Sequence, residues 1–306
     1  MSAPETNIAG GGRTHTGAGI AFMLAGAFFL ASNDTVAKWL GADYSLPQLV
    51  AGRALFALPL VLLLAQMSGG LRTLRTRRPR VHILRGLCMS VSAYGFFAGL
   101  RYMPLADATA VVFTAPLIIT ALSPFLLGDS VGWRRWTAVL TGFAGVLLIV
   151  RPGLSAFQPA SGFVLMAAFG YAMNFLLARR FAADEGTAVN VLYTMLVSLA
   201  VSLVLLPGQW QTPTGAALGL FPLMGALGGL AMICLTQAFR VAPAPVVAPF
   251  DYSAMIWAVL FGWLVWRDWP DPATWAGTAL IVGAGIYVGH REARQARARR
   301  APDSVH

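Results

Sequence analysis

The sequence predicts an all-α polytopic membrane protein: ten transmembrane helices as two inverted five-helix repeats (5+5), with both termini cytoplasmic. Composition, arginine placement and an internal copy carry this reading. Of 306 residues, 57% are hydrophobic and only 11% are charged, less than half the roughly 25% of a soluble domain. The 32 glycines and 18 prolines sit mostly inside apolar stretches. A disordered chain, an ordinary soluble enzyme and a disulfide scaffold are thereby excluded.

Ten apolar spans follow along the chain, at 18–40, 46–67, 82–101, 104–126, 132–150, 160–180, 188–206, 215–239, 243–265 and 273–289. Each is about 20 residues long, enough for roughly 30 Å of hydrocarbon. Each is expected to be helical, because a lone segment in lipid must satisfy its own backbone. The first begins after Arg13, as a signal peptide would, yet it runs on through Asn33, Asp34 and Lys38 without a cleavage pattern. It is therefore read as retained. Cys88 and Cys234 fall inside spans, so neither a structural disulfide nor a metal site is expected.

The net charge of +10 is explained by position rather than by nucleic acid. The side holding the N-terminus carries Arg13, the Arg72–Arg85 group, Arg134, Arg135, Arg179, Arg180, Arg240 and the Arg291–Arg300 group. The other side has only Arg101, Arg151 and Arg267. Arginines concentrate on the cytoplasmic side of membrane helices, which places both termini inside. Trp133, Trp136, Trp263, Trp266, Trp269 and Trp275 lie near span ends and read as interfacial belts.

The internal copy is the most informative feature. At an offset of 141, Ala21–Leu40 aligns with Gly162–Phe181, matching Asn33 with Asn174 and Lys38 with Arg179. At an offset of 139, Arg101, Pro104, Asp129 and Trp136 meet Arg240, Pro243, Asp268 and Trp275. Composition bias can produce alanine and leucine matches but does not readily place Asn, Arg, Pro, Asp and Trp in register. Five spans per copy invert the second relative to the first, a recurrent plan with a site between the halves. The expected organisation is a cytoplasmic tail (1–17), a first repeat (18–150), a linker (151–159), a second repeat (160–289) and a basic tail (290–306).

With the repeat in view, the chain resembles the drug/metabolite transporter superfamily in its EamA-type branch, over about residues 18–289. Asn33–Lys38 and the Arg53 of AGRALFALPL look like the family's first two helices. PLADATAVVFTAPLIITALSPFLLGD resembles its fourth helix and APAPVVAPFDYSAMIWAVLFGWLVWRDWP its ninth, with Asp129 and Asp268 where Glu is usual. The resemblance implies a secondary transporter working by alternating access through a cavity lined by the first, third, fourth, sixth, eighth and ninth helices. The bacterial members with this layout include YddG-like exporters of aromatic amino acids; others carry riboflavin, S-adenosylmethionine or purines. Amino-acid export from an inner membrane is the expectation, with no cofactor.

Ionisable residues inside spans are costly and so suggest function. Asp34 and Lys38 share a helix face, and Arg53 lies at similar depth. Two readings of an Asp34–Arg53–Lys38 cluster stand: an ion network joining two helices, or an outer gate or binding site. Asn33 and Asn174 offer amide donors and acceptors, either to solute or between helices. In PFDYSAMIW, Pro249 precedes Asp251, Tyr252, Ser253 and Trp257, which suggests a broken helix lining water; a buried, hydrogen-bonded carboxyl is the other reading of Asp251. Proton coupling at Asp251 is compatible with this placement and not required by it. Tyr94 and Tyr171 supply flat faces and hydroxyls, to solute or to ordinary packing. Pro116, deep in the fourth span, marks a bend. An intramembrane enzyme is the rival class, but His15, His82, His290 and His306 lie near ends or loops and no Gly-x-Ser-x-Gly elbow occurs.

Overall fold

The computed structural model of the protein describes residues 11–67, 69–128, 132–151, 160–181, 185–242 and 244–300. Twelve α-helices form there. The first six are α1 (Gly11–Leu40), α2 (Leu46–Met67), α3 (Pro79–Leu100), α4 (Leu105–Val112), α5 (Ala115–Leu127) and α6 (Trp133–Val150). The other six are α7 (Ser161–Phe181), α8 (Thr187–Leu205), α9 (Ala217–Val241), α10 (Ala244–Asp251), α11 (Ser253–Trp266) and α12 (Pro272–Arg300). Eight helical segments, counting α4–α5 and α10–α11 as one each, are long and apolar enough to cross a membrane. Two shorter apolar helices, Trp136–Val150 and Pro272–Val288, stand where the fifth and tenth spans were expected. Residues 1–10, 152–159 and 301–306 of the expected tails and linker, and Asp129, lie outside the described residues. The C-terminal basic segment continues α12 as helix to Arg300.

Two expected spans are each broken in two. Pro116 has no N–H to give Val112, and its ring crowds that carbonyl. The chain turns at Phe113–Thr114, where the Thr114 N–H reaches only as far back as Val111 O, at 3.0 Å. The second break falls at Tyr252, where Met255 N–H bonds Tyr252 O at 3.1 Å, while Pro249 stays inside α10. Tyr252 stands 139 residues after Phe113, the offset of the repeat. Their rings meet edge to face with centroids 4.9 Å apart. The break position therefore follows the repeat and its aromatic contact rather than the proline alone.

Packing obeys the same symmetry. α1 lies along α9 as α7 lies along α3, α2 packs on α9 as α8 packs on α3, and α2 with α8 and α6 with α12 each join two equivalent helices. Small residues allow the close approaches. A Cβ on Gly145 would fall 2.6 Å from the Gly277 carbonyl, and one on Gly277 would fall 2.5 Å from that of Gly145. Among the described residues one interface departs most from this symmetry. α4 packs along α11, whereas the equivalent pair, α10 and α5, has at most a glancing contact among the described residues.

Candidate solute site

The bundle has two ends. The connections 41–45, 101–104, 206–216 and 267–271 share one, here the opposite face; the arginine-rich connection between α2 and α3 lies on the other, the basic face. The opposite face is sealed. Lys38 Nζ donates to Met103 O at 3.0 Å and pairs with Asp268 Oδ2 at 3.4 Å, its ammonium 4.7 Å above the Trp266 ring. Thr274 Oγ1 donates to Asp107 Oδ1 at 3.0 Å, tying α12 to α4. Arg151 pairs with Asp271 beside them. A shallow recess of about 710 Å³ between Tyr44, Arg101, Tyr102 and Trp266 ends on Lys38.

The expected Asp34–Arg53–Lys38 cluster is thus corrected: Lys38 belongs to the seal. Its long side chain follows α1 toward the membrane surface and finds Asp268, whereas Asp34 accepts from Asn33 Nδ2 at 2.9 Å and faces Arg53.

The interior opens toward the basic face, as α7 reports. Val164, Ala168, Tyr171 and Phe175 follow at i, i+4, i+7 and i+11, on one stripe of the helix. Val164 and Ala168 are 0% exposed, Tyr171 40% and Phe175 43%. The stripe is covered near the opposite face and uncovered in the half where α10 and α5 stand apart. Asp251, at the end of α10, lies within electrostatic reach of the Tyr171 and Tyr252 hydroxyls. Trp257 packs on Phe28 of α1 with centroids 5.0 Å apart and stacks on Phe261, walling the region on the α1–α11 side.

Buried polar atoms without partners mark the rest. Asn33 Oδ1 and Asn174 Oδ1 are both unpartnered, as are Thr114 Oγ1 and Ser253 Oγ. Each is a repeat-equivalent pair, at offsets of 141 and 139. In lipid an unpaired buried group is expensive, so two symmetric pairs of them point to groups held for something else. Thr114 is absent from the residues read off the sequence, although the offset that pairs Pro104 with Pro243 also pairs Thr114 with Ser253. Gly285 is also absent from that reading; a Cβ there would fall 1.7 Å from the Tyr252 hydroxyl. Tyr94 goes elsewhere. Its hydroxyl donates to Ser202 Oγ at 2.9 Å, in a polar seam that includes Ser90 and Ser198 and joins α3 to α8.

A second network closes the rim of the basic face between α3 and α8. His82 Nε2 lies 2.5 Å from Glu185 Oε2, and Thr76 Oγ1 donates to the same carboxylate at 2.8 Å. Arg85 reaches Asn190 Oδ1 and, at 3.4 Å, the Asn174 carbonyl. Partial burial pushes the Glu185 pKa up, but the hydrogen bonds from Thr76 and His82 outweigh it and hold the carboxyl below its ordinary range. Asp271 is likewise held low: partial burial opposes this, and the Thr274 N–H at 2.7 Å and Arg151 prevail.

Comparison with known proteins agrees with this geometry. The model of the EamA-like transporter family matches twice, at residues 17–151 and 158–288. A protein of Rickettsia felis described as an S-adenosylmethionine uptake transporter is 30% identical over 274 residues, 90% of this chain and 93% of that one. A riboflavin transporter of Vibrio cholerae is 29% identical, covering 92% of this chain and 96% of its own. A pseudopaline exporter of Pseudomonas aeruginosa is 26% identical, covering 88% and 94%. A crystal structure at 24% identity superposes with a TM-score of 0.62 over 92% of this chain and 99% of its own, a likeness of fold. The chain belongs to the EamA-like transporter family of the drug/metabolite transporter superfamily and is a multi-pass protein of the bacterial inner membrane.

Proposed function

We propose that this transporter exports small zwitterionic metabolites, amino acids including aromatic ones, by alternating access between two inverted repeats. The observation that carries the reading is the half-open interior stripe at Tyr171 and Phe175, beside Asp251 and walled by Tyr252 and Trp257. Aromatic faces lining a half-open interior suit the flat ring of an aromatic amino acid. Ten crossings and cytoplasmic termini complete the reading, with residues 18–150 and 160–289 as the two repeats. The basic face then looks inward, as the arginine distribution requires.

Purified protein in sealed vesicles, loaded with one radiolabelled amino acid and challenged with a competitor panel, tests the cargo. Concentration-dependent exchange of aromatic amino acids is expected. Movement of riboflavin or purines without amino-acid flux would overturn the cargo and leave the fold untouched. Asp251→Asn should change flux or solute preference while the protein still folds; lower thermal stability with normal flux per folded molecule would remove it from the site. A cysteine placed in the 207–214 connection should react with an impermeant reagent in intact cells, and one at the C-terminus should not.

Uptake of S-adenosylmethionine, or transport of riboflavin, is the second reading, favoured by the names of the Rickettsia felis and Vibrio cholerae relatives. The same vesicles distinguish it, since either compound would then displace label where amino acids do not.

A further inference from the structure

Arg53 is a charged side chain at membrane depth that the seal does not use. It projects from α2 among three other helices. Its guanidinium lies 5.3 Å from the Phe97 ring centre on α3. Asn33 and Asp34 of α1 stand beside it, and Gly228 of α9 faces it. A Cβ on Gly228 would fall 3.0 Å from Asn33 Oδ1 and 3.4 Å from Arg53 Cγ. The side chain is half-buried and enclosed by helices, so the part that remains accessible faces the bundle interior.

Among the described residues no hydrogen bond or ion pair reaches Arg53, and its buried Nε has no partner. Asp34 acts on it only from beyond ion-pair distance. Beside these unmet donors stands an unmet acceptor, Asn33 Oδ1, on a residue with no exposed surface. An unpaired guanidinium at this depth is costly, and its planar fork matches a carboxylate. Donors at Arg53, with acceptor oxygens at Asn33 and Asp34, are the complement of a zwitterion.

We infer that Arg53, with Asn33 and Asp34 beside it and Gly228 leaving room, receives the α-carboxylate and α-ammonium head of the transported solute. The carboxylate takes the guanidinium N–H donors, and the ammonium donates to Asn33 Oδ1. This rests on the amino-acid reading above and gives that solute its head-group site.

The test compares phenylalanine, phenylalanine amide and phenethylamine as competitors of phenylalanine exchange in vesicles, and as ligands of the detergent-purified protein by thermal shift. The intact protein should prefer the acid to both carboxylate-free analogues by at least tenfold. Arg53→Gln should bring that ratio to within about threefold of unity. An unchanged ratio in Arg53→Gln, whatever its thermal stability, would make Arg53 a structural residue and overturn the assignment. If Arg53→Gln does not fold, Gly228→Ala serves, because its methyl would press on Asn33 Oδ1. It should weaken phenylalanine several-fold more than 3-phenylpropionate, which lacks the ammonium, and equal weakening overturns the site. Failure of the cargo reading looks different: the intact protein then binds and moves no amino acid, and both ideas fall together.

Discussion

The two repeats share a break at one place and differ in what surrounds it. In the first, Phe113 and Thr114 part α4 from α5; in the second, Tyr252 and Ser253 stand at the same positions. α4 closes against α11, while α10 leaves α5. Asp107 of α4 holds Thr274, and its equivalent on α10 is Val246, which cannot. Equivalent helices therefore pack differently at the two ends of the bundle, and a few side chains distinguish the ends. Substitutions that exchange or remove those side chains should change the difference between the halves.

The largest effect is expected at the repeat axis. Gly285 accommodates the Tyr252 hydroxyl, which would lie 1.7 Å from a Cβ there. The first repeat has Phe113 and Val146 at the equivalent positions, with no hydroxyl to accommodate. Gly285→Ala should cost about 1–3 kcal/mol through overpacking, read by thermal unfolding in detergent. Tyr252→Phe in the same chain should recover part of that loss. A Gly285→Ala protein as stable as the parent would mean that the ring and its socket do not fix the break.

Next comes the seal itself. Thr274→Val removes the donor to Asp107 from a site where Thr274 is buried, a loss of about 1–2 kcal/mol. Where only the sealed state makes this contact, about 1.4 kcal/mol shifts its equilibrium with the unsealed state tenfold. A reporter cysteine at the buried Leu105, with Cys88 and Cys234 replaced by serine, should then label several-fold faster with a thiol reagent added at the opposite face. An unchanged rate would assign closure to Lys38–Asp268 and the α4–α11 contact alone.

Helical spans and the repeat were legible in the sequence because both are periodic: apolar runs measure the membrane, and an offset survives as matched rare residues. The broken ninth span was legible from Pro249, although the break itself lies at Tyr252. Partners were far less legible. Nothing local indicates that Lys38 reaches Asp268, 230 residues away, rather than Asp34 one turn back. Nor does Tyr94 announce that it faces α8, since a tyrosine suits packing and a cavity equally. Unpartnered atoms such as Thr114 Oγ1 cannot be read from one chain, because orphanhood is a property of neighbours. The offset could still have proposed Thr114 once Ser253 was chosen.

A smaller effect separates the two repeats where α5 and α11 end. Gly128 and Arg267 are repeat-equivalent, and both adopt left-handed backbone, with φ of 72° and 61°. Glycine does so without a Cβ penalty, whereas Arg267 is held with its guanidinium 5.3 Å from the Trp263 ring. A Cβ at Gly128 meets nothing within 4 Å, so only its backbone would be strained. Gly128→Ala should therefore lose about 1 kcal/mol with flux per folded molecule unchanged. No loss would imply that this turn shifts freely, unlike its partner in the second repeat.

The smallest effect concerns acid. The turn between α1 and α2 is held by Tyr44, whose carbonyl accepts from Arg101 Nη2 at 2.5 Å and whose hydroxyl accepts from Thr214 N–H at 3.3 Å. The equivalent turn before α8 is held by the Glu185 carboxylate, through Thr76, His82 and the Arg77 N–H. A carboxylate held below its unfolded pKa stabilises the fold above that unfolded value, about 4.3. Its contribution is lost as pH falls through the lower folded value. Acid should therefore loosen the basic-face turn while leaving the Tyr44 turn intact. Thermal unfolding measured from pH 6 down to pH 3 should show the parent losing more stability than Glu185→Gln, by an amount that shrinks with added salt because the site is near the surface. Parallel curves for the two proteins would show that the turn is held without need of the charge, by Thr76 and by Asn190 Nδ2, which donates to the Glu185 carbonyl at 3.1 Å.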